Sequence, residues 1–217
     1  MTAWAAEQYD MEGLRESMRE VEKHLLDQSG RRDRLLKESR DVISSCSRAI
    51  VNVHNGKLAE AEKELGRARS LLKALKKAGS GQLARYLVSP EAEFVEASSV
   101  CALARGKRLP SRSSLDSSHE AYVLGLLDTV GELKRLVLDS IMDGKIVKAK
   151  EYFGHMETLY STCSPLAVYD HVLGGSRRKI DVARMLVEDT RGLLTEEARR
   201  ETLISSMDRV YKKLRRR

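Results

Sequence analysis

Apolar residues recur every three or four positions along most of the chain, which is the spacing of an amphipathic α-helix. The series opens with Leu14, Met18, Val21, Leu25, Leu36, Ile43, Ile50 and Val53. Residues 27–30 (DQSG) form a weak point in it, and Asn55-Gly56 is a helix stop signal. The pattern therefore predicts a long helical region that ends near Asn55 and is weakened near Gly30.

The same spacing predicts helices along the rest of the chain, over about residues 57–78, 90–105, 118–142, 146–161, 178–191 and 195–213. Ser89-Pro90-Glu91 combines a capping hydroxyl, a proline at the first turn and an acid at the positive end of the helix dipole. The serine-rich residues 106–118 are the clearest loop. Because no strand pair, repeat or second domain is evident, the expected fold class is all-α, a single-domain bundle of six to seven helices over residues 1–217.

The composition agrees with a helical bundle, and it also indicates the cellular compartment. Of 217 residues, 33% are charged, 5% are aromatic and three are proline, which suits a bundle better than a sandwich or a barrel. No apolar run approaches the roughly 18–20 residues that span a bilayer, and the N-terminus lacks the pattern of a signal peptide. The three cysteines, Cys46, Cys101 and Cys163, suit core residues in a reducing compartment. We therefore expect a cytoplasmic protein without membrane contact.

The net charge of +7 and the isoelectric point near 9.3 favour a polyanionic partner, above all nucleic acid. The basic residues are concentrated in three places. These are Arg31, Arg32, Arg34, Lys37 and Arg40 in the first helical region, Arg177-Arg178-Lys179, and six of the last nine residues. A solvated helix face or a frayed tail stays an alternative explanation for each cluster.

Two glutamates occupy an otherwise apolar helix face. A helix turns about 100° per residue, which places Ala97, Val100 and Ala104 within about 40° of Glu93 and places Glu96 at the border of that face. Like charges at positions i and i+3 repel each other, and partial burial adds a cost on the order of kcal/mol. The pair is also the only Glu-x-x-Glu of the chain. A cation should therefore offset its charge.

A second helix supplies further carboxylates. Asp128, Glu132, Arg135 and Asp139 share a narrow polar strip, which an ordinary amphipathic helix explains equally well. Oxygen ligands from two helices nevertheless suit Mg²⁺ or Mn²⁺, which bind through a few carboxylates, water and substrate phosphate. Such an ion would orient a water molecule, lower its pKa and neutralise charge that develops on a phosphate. The residues alone thus favour a metal-dependent nuclease.

Other catalytic chemistries lack a signature in this sequence. There is no Glu-x-x-His pair of a di-iron bundle, no glycine-rich phosphate loop and no serine nucleophile elbow. The five histidines are scattered along the chain as His24, His54, His119, His155 and His171.

Three segments together resemble the translin/TRAX family. Residues 34–42 (RLLKESRDV) are similar to the basic stretch R-L-x-K-x-S-R-D-[IV] of its first long helix, and residues 93–97 (EFVEA) resemble its E-[YF]-V-E-A motif. Residues 124–133 (LGLLDTVGEL) resemble its L-G-x-x-D-x-x-G-E-L motif, and Arg135, Ser140 and Gly144 follow at the family's spacing. The resemblance covers about residues 31–144, and the rest of the chain matches only in helical character.

The resemblance implies a seven-helix fold and assembly into a closed, octamer-like shell around RNA. It also implies the metal-dependent endoribonuclease activity of TRAX, the catalytic half of a complex that promotes RNA silencing. Translin, the RNA-binding and catalytically poor partner, lacks the full carboxylate set, so the chain is similar to TRAX. The loop at residues 106–118 is shorter than in animal TRAX, so both a translin-like partner and a homo-oligomer stay open, and we favour the homo-oligomer.

By the same resemblance, the TRAX active-site carboxylates correspond to Glu93, Glu96 and Asp128. We expect these three side chains to hold Mg²⁺ or Mn²⁺ and to direct the bound water at an RNA phosphodiester. Glu132 is expected to serve as an auxiliary ligand, or to contact the three ligands from the next layer of residues around the ion.

The expected RNA-binding residues are Arg34, Lys37 and Arg40, which would hold the backbone of single- or double-stranded RNA through contacts that weaken steeply with salt. Two alternatives to an endoribonuclease stay open. One is a non-catalytic RNA- or DNA-binding scaffold of the translin kind. The other is an all-α nucleotide pyrophosphohydrolase, which also pairs Glu-x-x-Glu with a second acidic helix.

Overall fold

A computed structural model describes residues 11–79 and 81–215, which are predominantly helical. They form seven α-helices: α1 (Met11–His54), α2 (Leu58–Ala78), α3 (Val88–Ala104), α4 (Arg112–Leu115), α5 (His119–Met142), α6 (Ile146–Cys163) and α7 (Ser176–Leu214). Two 3₁₀ segments, Gly81–Leu87 and Ser164–Tyr169, precede α3 and follow α6. No strand occurs among the described residues, so the all-α prediction is confirmed.

Some predictions concern residues outside the described ranges, namely those for the first ten residues and for the last two arginines of the basic tail. Within residues 11–79 and 81–215, no helix is long and apolar enough to cross a bilayer. Cys46, Cys101 and Cys163 are buried and carry free thiols, as predicted for core residues.

The predicted weak point near Gly30 does not interrupt α1, which runs without a break for 44 residues. A Cβ atom added at Gly30 would meet nothing within 4 Å, so this glycine lies on an open face of the helix. Glycine inside a helix costs about 1 kcal/mol relative to alanine, which weakens a long helix without ending it.

The predicted break between residues 191 and 195 is also absent, because α7 is one helix of 39 residues. The predicted last helix begins at Thr195, in the position of a capping hydroxyl. The Thr195 hydroxyl instead donates to the carbonyl oxygen of Arg191 at 2.8 Å, which is the bond of a threonine inside a continuous helix.

The centre of the bundle is α3, which packs against α1, α2 and α5. Eleven of its 17 residues are buried, so the helix has almost no solvated side. On the other side, α5 packs against α6 and α7, and most of the buried side chains of these helices join one continuous core, while Ala92, Ala121 and Leu124 form a small second cluster. Glu93 and Glu96 are therefore carried on the most enclosed helix of the fold.

The first part of α1 extends beyond the bundle. Its apolar series was predicted correctly as helical, but the side chains are 47–74% exposed: Leu14, Met18, Val21, Leu25 and Leu26. The C-terminal end of α2, at Ala78, lies beside residues 31–38 of α1, and Leu35 is the first buried core residue of α1 among the described residues. Residues 11–30, here called the α1 overhang, thus present an apolar stripe to solvent.

The second half of α7 extends in the same way, since Leu194 is its last buried hydrophobic residue. Residues 195–214, here called the α7 overhang, expose a series of large apolar side chains at 57–65%: Leu203, Ile204, Met207, Val210, Tyr211 and Leu214.

The two overhangs leave the bundle at opposite ends. The ion pairs Lys179–Asp128 and Asp189–Lys134 show that α7 runs in the same direction as α5. The C-terminal end of α1 contacts Asp139, near the C-terminal end of α5. The α7 overhang therefore begins where α1 ends, and the α1 overhang projects from the other end.

Candidate functional site

The candidate site lies where α3 crosses α5, and a glycine sets the separation of the two helices. A Cβ atom on Gly125 of α5 would lie 2.7 Å from Cβ of Val95 and would also overlap the carbonyl oxygen of Ala92. No other residue allows the backbones to approach so closely. At this crossing, Glu93 and Glu96 of α3 face the turn of α5 that carries Asp128.

Glu93 and Glu96 are both half-buried, and their pKa values are raised. Burial is the largest cause for each, and the next is the negative charge of Asp128. Together with repulsion from Glu93 and Glu132, these effects raise the pKa of Glu96 to about 8. The predicted convergence of carboxylates from two helices is consistent with these mutual interactions.

Asp128 forms an ion pair with Lys179 in the first turns of α7, between the Nζ and Oδ1 atoms. Both side chains are about 30% exposed. The lysine charge also acts on Glu93 and Glu96, where it opposes the effect of burial on the pKa. The acidic cluster thus already contains a cation that belongs to the protein.

Glu132 is held by a histidine from α1. Nε2 of His54 lies 2.6 Å from Oε2 of Glu132, and Nδ1 lies 3.1 Å from Oδ2 of Asp139, while the ring is only 4% exposed. The hydrogen bond from His54 lowers the pKa of Glu132, which is the opposite direction from Glu93 and Glu96. Glu132 is therefore fixed as an ionised carboxylate beside two carboxylates that resist ionisation.

Cys46 closes the site on the side of α1. It is fully buried, and burial together with the charges of Glu93 and Glu96 raises the pKa of its thiol to about 12. Cys46 therefore stays a neutral thiol and acts as an apolar wall behind the glutamates.

The donor set matches the chemistry of a hard divalent cation, because Glu93, Glu96, Asp128 and Glu132 offer only carboxylate oxygens. Burial raises the pKa values of Glu93 and Glu96 most, and the charge of Asp128 adds to this effect while Lys179 opposes it. In the side-chain arrangement of residues 11–79 and 81–215, however, no three carboxylate, histidine or cysteine groups are grouped so that they could hold an ion. Ion binding by these carboxylates would therefore require side-chain movement.

The predicted RNA-binding residues Arg34, Lys37 and Arg40 are exposed on α1. Lys37 and Arg40 lie roughly 140–160° around the helix from the buried residues Leu35 and Val42. Since the glutamates approach α1 from its buried side, the structure does not bring these basic residues to the carboxylates of the same chain.

Two residues of the site were not predicted from the sequence. His54 had been noted only as one of five scattered histidines, and Lys179 only as part of a basic cluster. The available signal was weak: Lys179 is the third residue of a basic run, and His54 lies at the end of a helix that carries the basic motif.

The comparison with known sequences decides the family. The pattern of the Translin family matches residues 30–189, which is most of the chain. The chain belongs to the translin family. An uncharacterised protein of Methanocaldococcus jannaschii is 32% identical to this translin-family protein over 178 residues, which cover 78% of the chain and 77% of the relative.

Solved structures share the fold of this translin-family protein. The crystal structure of AfC3PO matches with a TM-score of 0.75 and 28% identity, covering 83% of this chain and 96% of that one. The AfC3PO complex with duplex RNA matches with a TM-score of 0.72 and 26% identity over 83% and 95%. Apo-NeC3PO, at 19% identity, a TM-score of 0.66 and coverage of 88% and 98%, supports the fold alone.

Proposed function

We propose that this translin-family protein is a metal-dependent endoribonuclease of the TRAX kind. The observation that carries the proposal is the acidic cluster at the α3–α5 crossing, where burial and mutual repulsion raise the pKa of Glu96 to about 8 in a chain of net charge +7. Ionising all the carboxylates of such a cluster is unfavourable without a counter-charge, and a divalent cation would supply one.

In this proposal Glu93, Glu96 and Asp128 hold Mg²⁺ or Mn²⁺. When bound, the ion supplies an activated water and neutralises charge on the phosphate. Because cation binding needs ionised ligands, Glu96 gives up its proton on loading. His54 keeps Glu132 ionised and fixes its position, which is the support that carboxylates near a metal receive from neighbouring hydrogen bonds.

RNA is the proposed substrate because the chain is basic and because AfC3PO, which shares its fold, has been solved in complex with duplex RNA. Arg34, Lys37 and Arg40 are free to contact phosphates from the solvent side of α1. Their distance from the carboxylates of the same chain suggests that they bind RNA beyond the cleaved bond, or that they serve the site of another copy.

We also propose that the protein self-associates through its overhangs, in an octamer-like shell or with a translin-like partner. The α1 overhang carries five acidic and three basic residues around its apolar stripe, whereas the α7 overhang carries four acidic and five basic residues. Two exposed apolar stripes of opposite net charge suit pairing between chains. The cytoplasmic location stays a prediction.

Cleavage of labelled RNA tests the enzymatic proposal. Glu96→Gln keeps the size of the side chain but removes a ligand charge, so cleavage in Mg²⁺ should fall about 100-fold or more while RNA affinity in a filter-binding assay is kept. Glu60→Gln, an exposed change on α2, should cleave like the wild type.

Other outcomes of the same assay distinguish the alternatives. Equal cleavage by wild type and Glu96→Gln would reject the site. Metal-independent binding without any product would indicate a translin-like scaffold. Hydrolysis of free nucleoside triphosphates with RNA left intact would indicate a pyrophosphohydrolase.

A further inference from the structure

Lys179 is a partly buried lysine whose ammonium group contacts the acidic cluster. It lies in the first turns of α7, and its ammonium group reaches across to Asp128 of α5. Its side chain is 29% exposed, so the group is neither enclosed in the core nor freely solvated. The charges of Asp128, Glu132 and Lys179 all lie close enough to act on Glu93 and Glu96.

The ion pair is not needed to join the two helices. Farther along, Lys134 of α5 pairs with Asp189 of α7 at 3.4 Å, and buried residues of α7 such as Ile180, Ala183 and Val187 belong to the common core. The helices are thus already fixed by packing and by a second ion pair. The position of Lys179 is better explained by the charge that it meets than by a role in holding α7.

Lysine suits a temporary contact. Its ammonium is a point charge on a flexible four-carbon stem, so it can leave a carboxylate without any movement of the backbone. While Lys179 contacts Asp128, the Asp128 carboxylate is not available to an ion. In this arrangement, no three carboxylate, histidine or cysteine groups among the described residues are placed so that they could hold one.

We propose that Lys179 is a built-in competitor of the divalent cation: it neutralises Asp128 when no ion is present and must release Asp128 before an ion can bind. The inference rests on the proposed function, since it assumes that Asp128 is a metal ligand. It makes Lys179 a positioning residue that sets the concentration of divalent cation at which the site loads.

The test measures Mn²⁺ affinity without RNA, from the electron paramagnetic resonance signal of free Mn²⁺. Lys179→Met keeps the length of the stem and removes the charge, so the Kd for Mn²⁺ should fall about tenfold. Lys179→Arg should bind no more tightly than wild type. Lys134→Met removes the same charge from the other α5–α7 ion pair and should leave the Kd within about twofold of wild type.

A Kd for Lys179→Met that equals or exceeds the wild-type value would overturn the inference. So would an equal gain in Lys134→Met, because net charge alone would then explain the effect. Mn²⁺ binding that survives Glu96→Gln unchanged, or that is absent from wild type and Lys179→Met alike, would instead reject the metal site of the proposed function. Binding that appears only in Lys179→Met would support the inference strongly.

A measurement on the wild type covers the case in which Lys179→Met fails to fold. Reductive methylation followed by peptide mass spectrometry reports how accessible each lysine amine is. Methylation of Lys179 should become several-fold faster when Mn²⁺ is added, whereas Lys134 should keep its rate. An unchanged rate for Lys179 at a concentration of Mn²⁺ that saturates the protein would contradict the release of the lysine.

Discussion

At the scale of single residues, Glu96 is the side chain in which burial and charge oppose each other most strongly. Its pKa of about 8 lies well above the usual range, so the folded protein retains a proton that the unfolded chain releases near pH 4.5. Between these two values the folded state binds more protons than the unfolded state, and stability therefore falls as pH rises. Below pH 4.5 Glu96 is protonated in both the folded and the unfolded state, so it no longer changes the stability as pH varies.

This sign leads to a prediction for the metal-free protein. Glu96→Gln imitates the protonated acid, so at about pH 8.5 it should be more stable than wild type by about 2 kcal/mol, or about 4–8 °C in Tm. At about pH 5 the gain should nearly vanish. Thermal unfolding followed by circular dichroism in EDTA measures both values.

Glu60→Gln provides the control at the same two pH values, because this exposed glutamate should show no such pH-dependent gain. A Tm gain for Glu96→Gln that is equal at both pH values would contradict the assigned direction of the shift.

The residues of the site differ in how far the sequence alone could identify them. Glu93 and Glu96 were predictable, because two acids on an apolar helix face are visible in the helical period itself. His54 and Lys179 were not, because they reach Glu132 and Asp128 across 78 and 51 positions of sequence. Only the packing of α1 and α7 against α5 brings them there.

At the scale of helices, the geometry of the site depends on the close contact between α3 and α5. Asp128 lies one turn beyond Gly125, and Glu96 lies next to Val95, which a side chain at position 125 would strike. Any widening at this contact therefore moves the two carboxylate-bearing turns apart.

Gly125→Ala should accordingly destabilise the protein by about 1–3 kcal/mol, because the added methyl group forces the helices apart. The variant should also bind Mn²⁺ more weakly. Urea unfolding and the Mn²⁺ titration measure the two effects.

Gly66→Ala is the matched control, since a Cβ atom there meets nothing within 4 Å in the middle of α2. It should stabilise the protein by about 0.5–1 kcal/mol. A Gly125→Ala variant as stable as Gly66→Ala would show that the contact tolerates a side chain.

Helix boundaries were predictable where glycine or proline coincides with a change of direction, as at the ends of α2 and α5. The boundary predicted near Gly192 was wrong, and the weak point at Gly30 does not end a helix, because the chain continues straight through both positions. A glycine with open space around it looks the same in sequence as one that ends a helix, and tertiary packing decides between them.

At the scale of the whole molecule, the two overhangs carry 11 of the 21 exposed large apolar side chains in the described part of the chain. Each has about 20 residues, or roughly 30 Å of helix. Because they leave the bundle at opposite ends, each can meet a different neighbouring chain.

Ile204→Glu places a charge in the middle of the α7 stripe, where the side chain is 60% exposed and lies outside the core. We expect the wild type to exceed the 24.4 kDa of a single chain in solution and the variant to shift to smaller species. Size-exclusion chromatography with light scattering measures the mass.

Val147→Glu, which changes an 85% exposed residue at the start of α6, should keep the wild-type mass. A monomeric wild type, or an Ile204→Glu variant of unchanged mass, would contradict assembly through the α7 overhang.

Because α7 is unbroken, Lys179 near its start and Leu214 at its end are parts of one rod roughly 50 Å long. A neighbouring chain that binds the C-terminal end of α7 and tilts it by a few degrees would rotate the N-terminal end of the helix about the buried residues between the two ends. The ammonium group at the acidic cluster would then shift relative to Asp128. Oligomer formation and ion binding would thus be coupled through one helix. The protein diluted to monomers would then differ from the oligomer in its affinity for Mn²⁺.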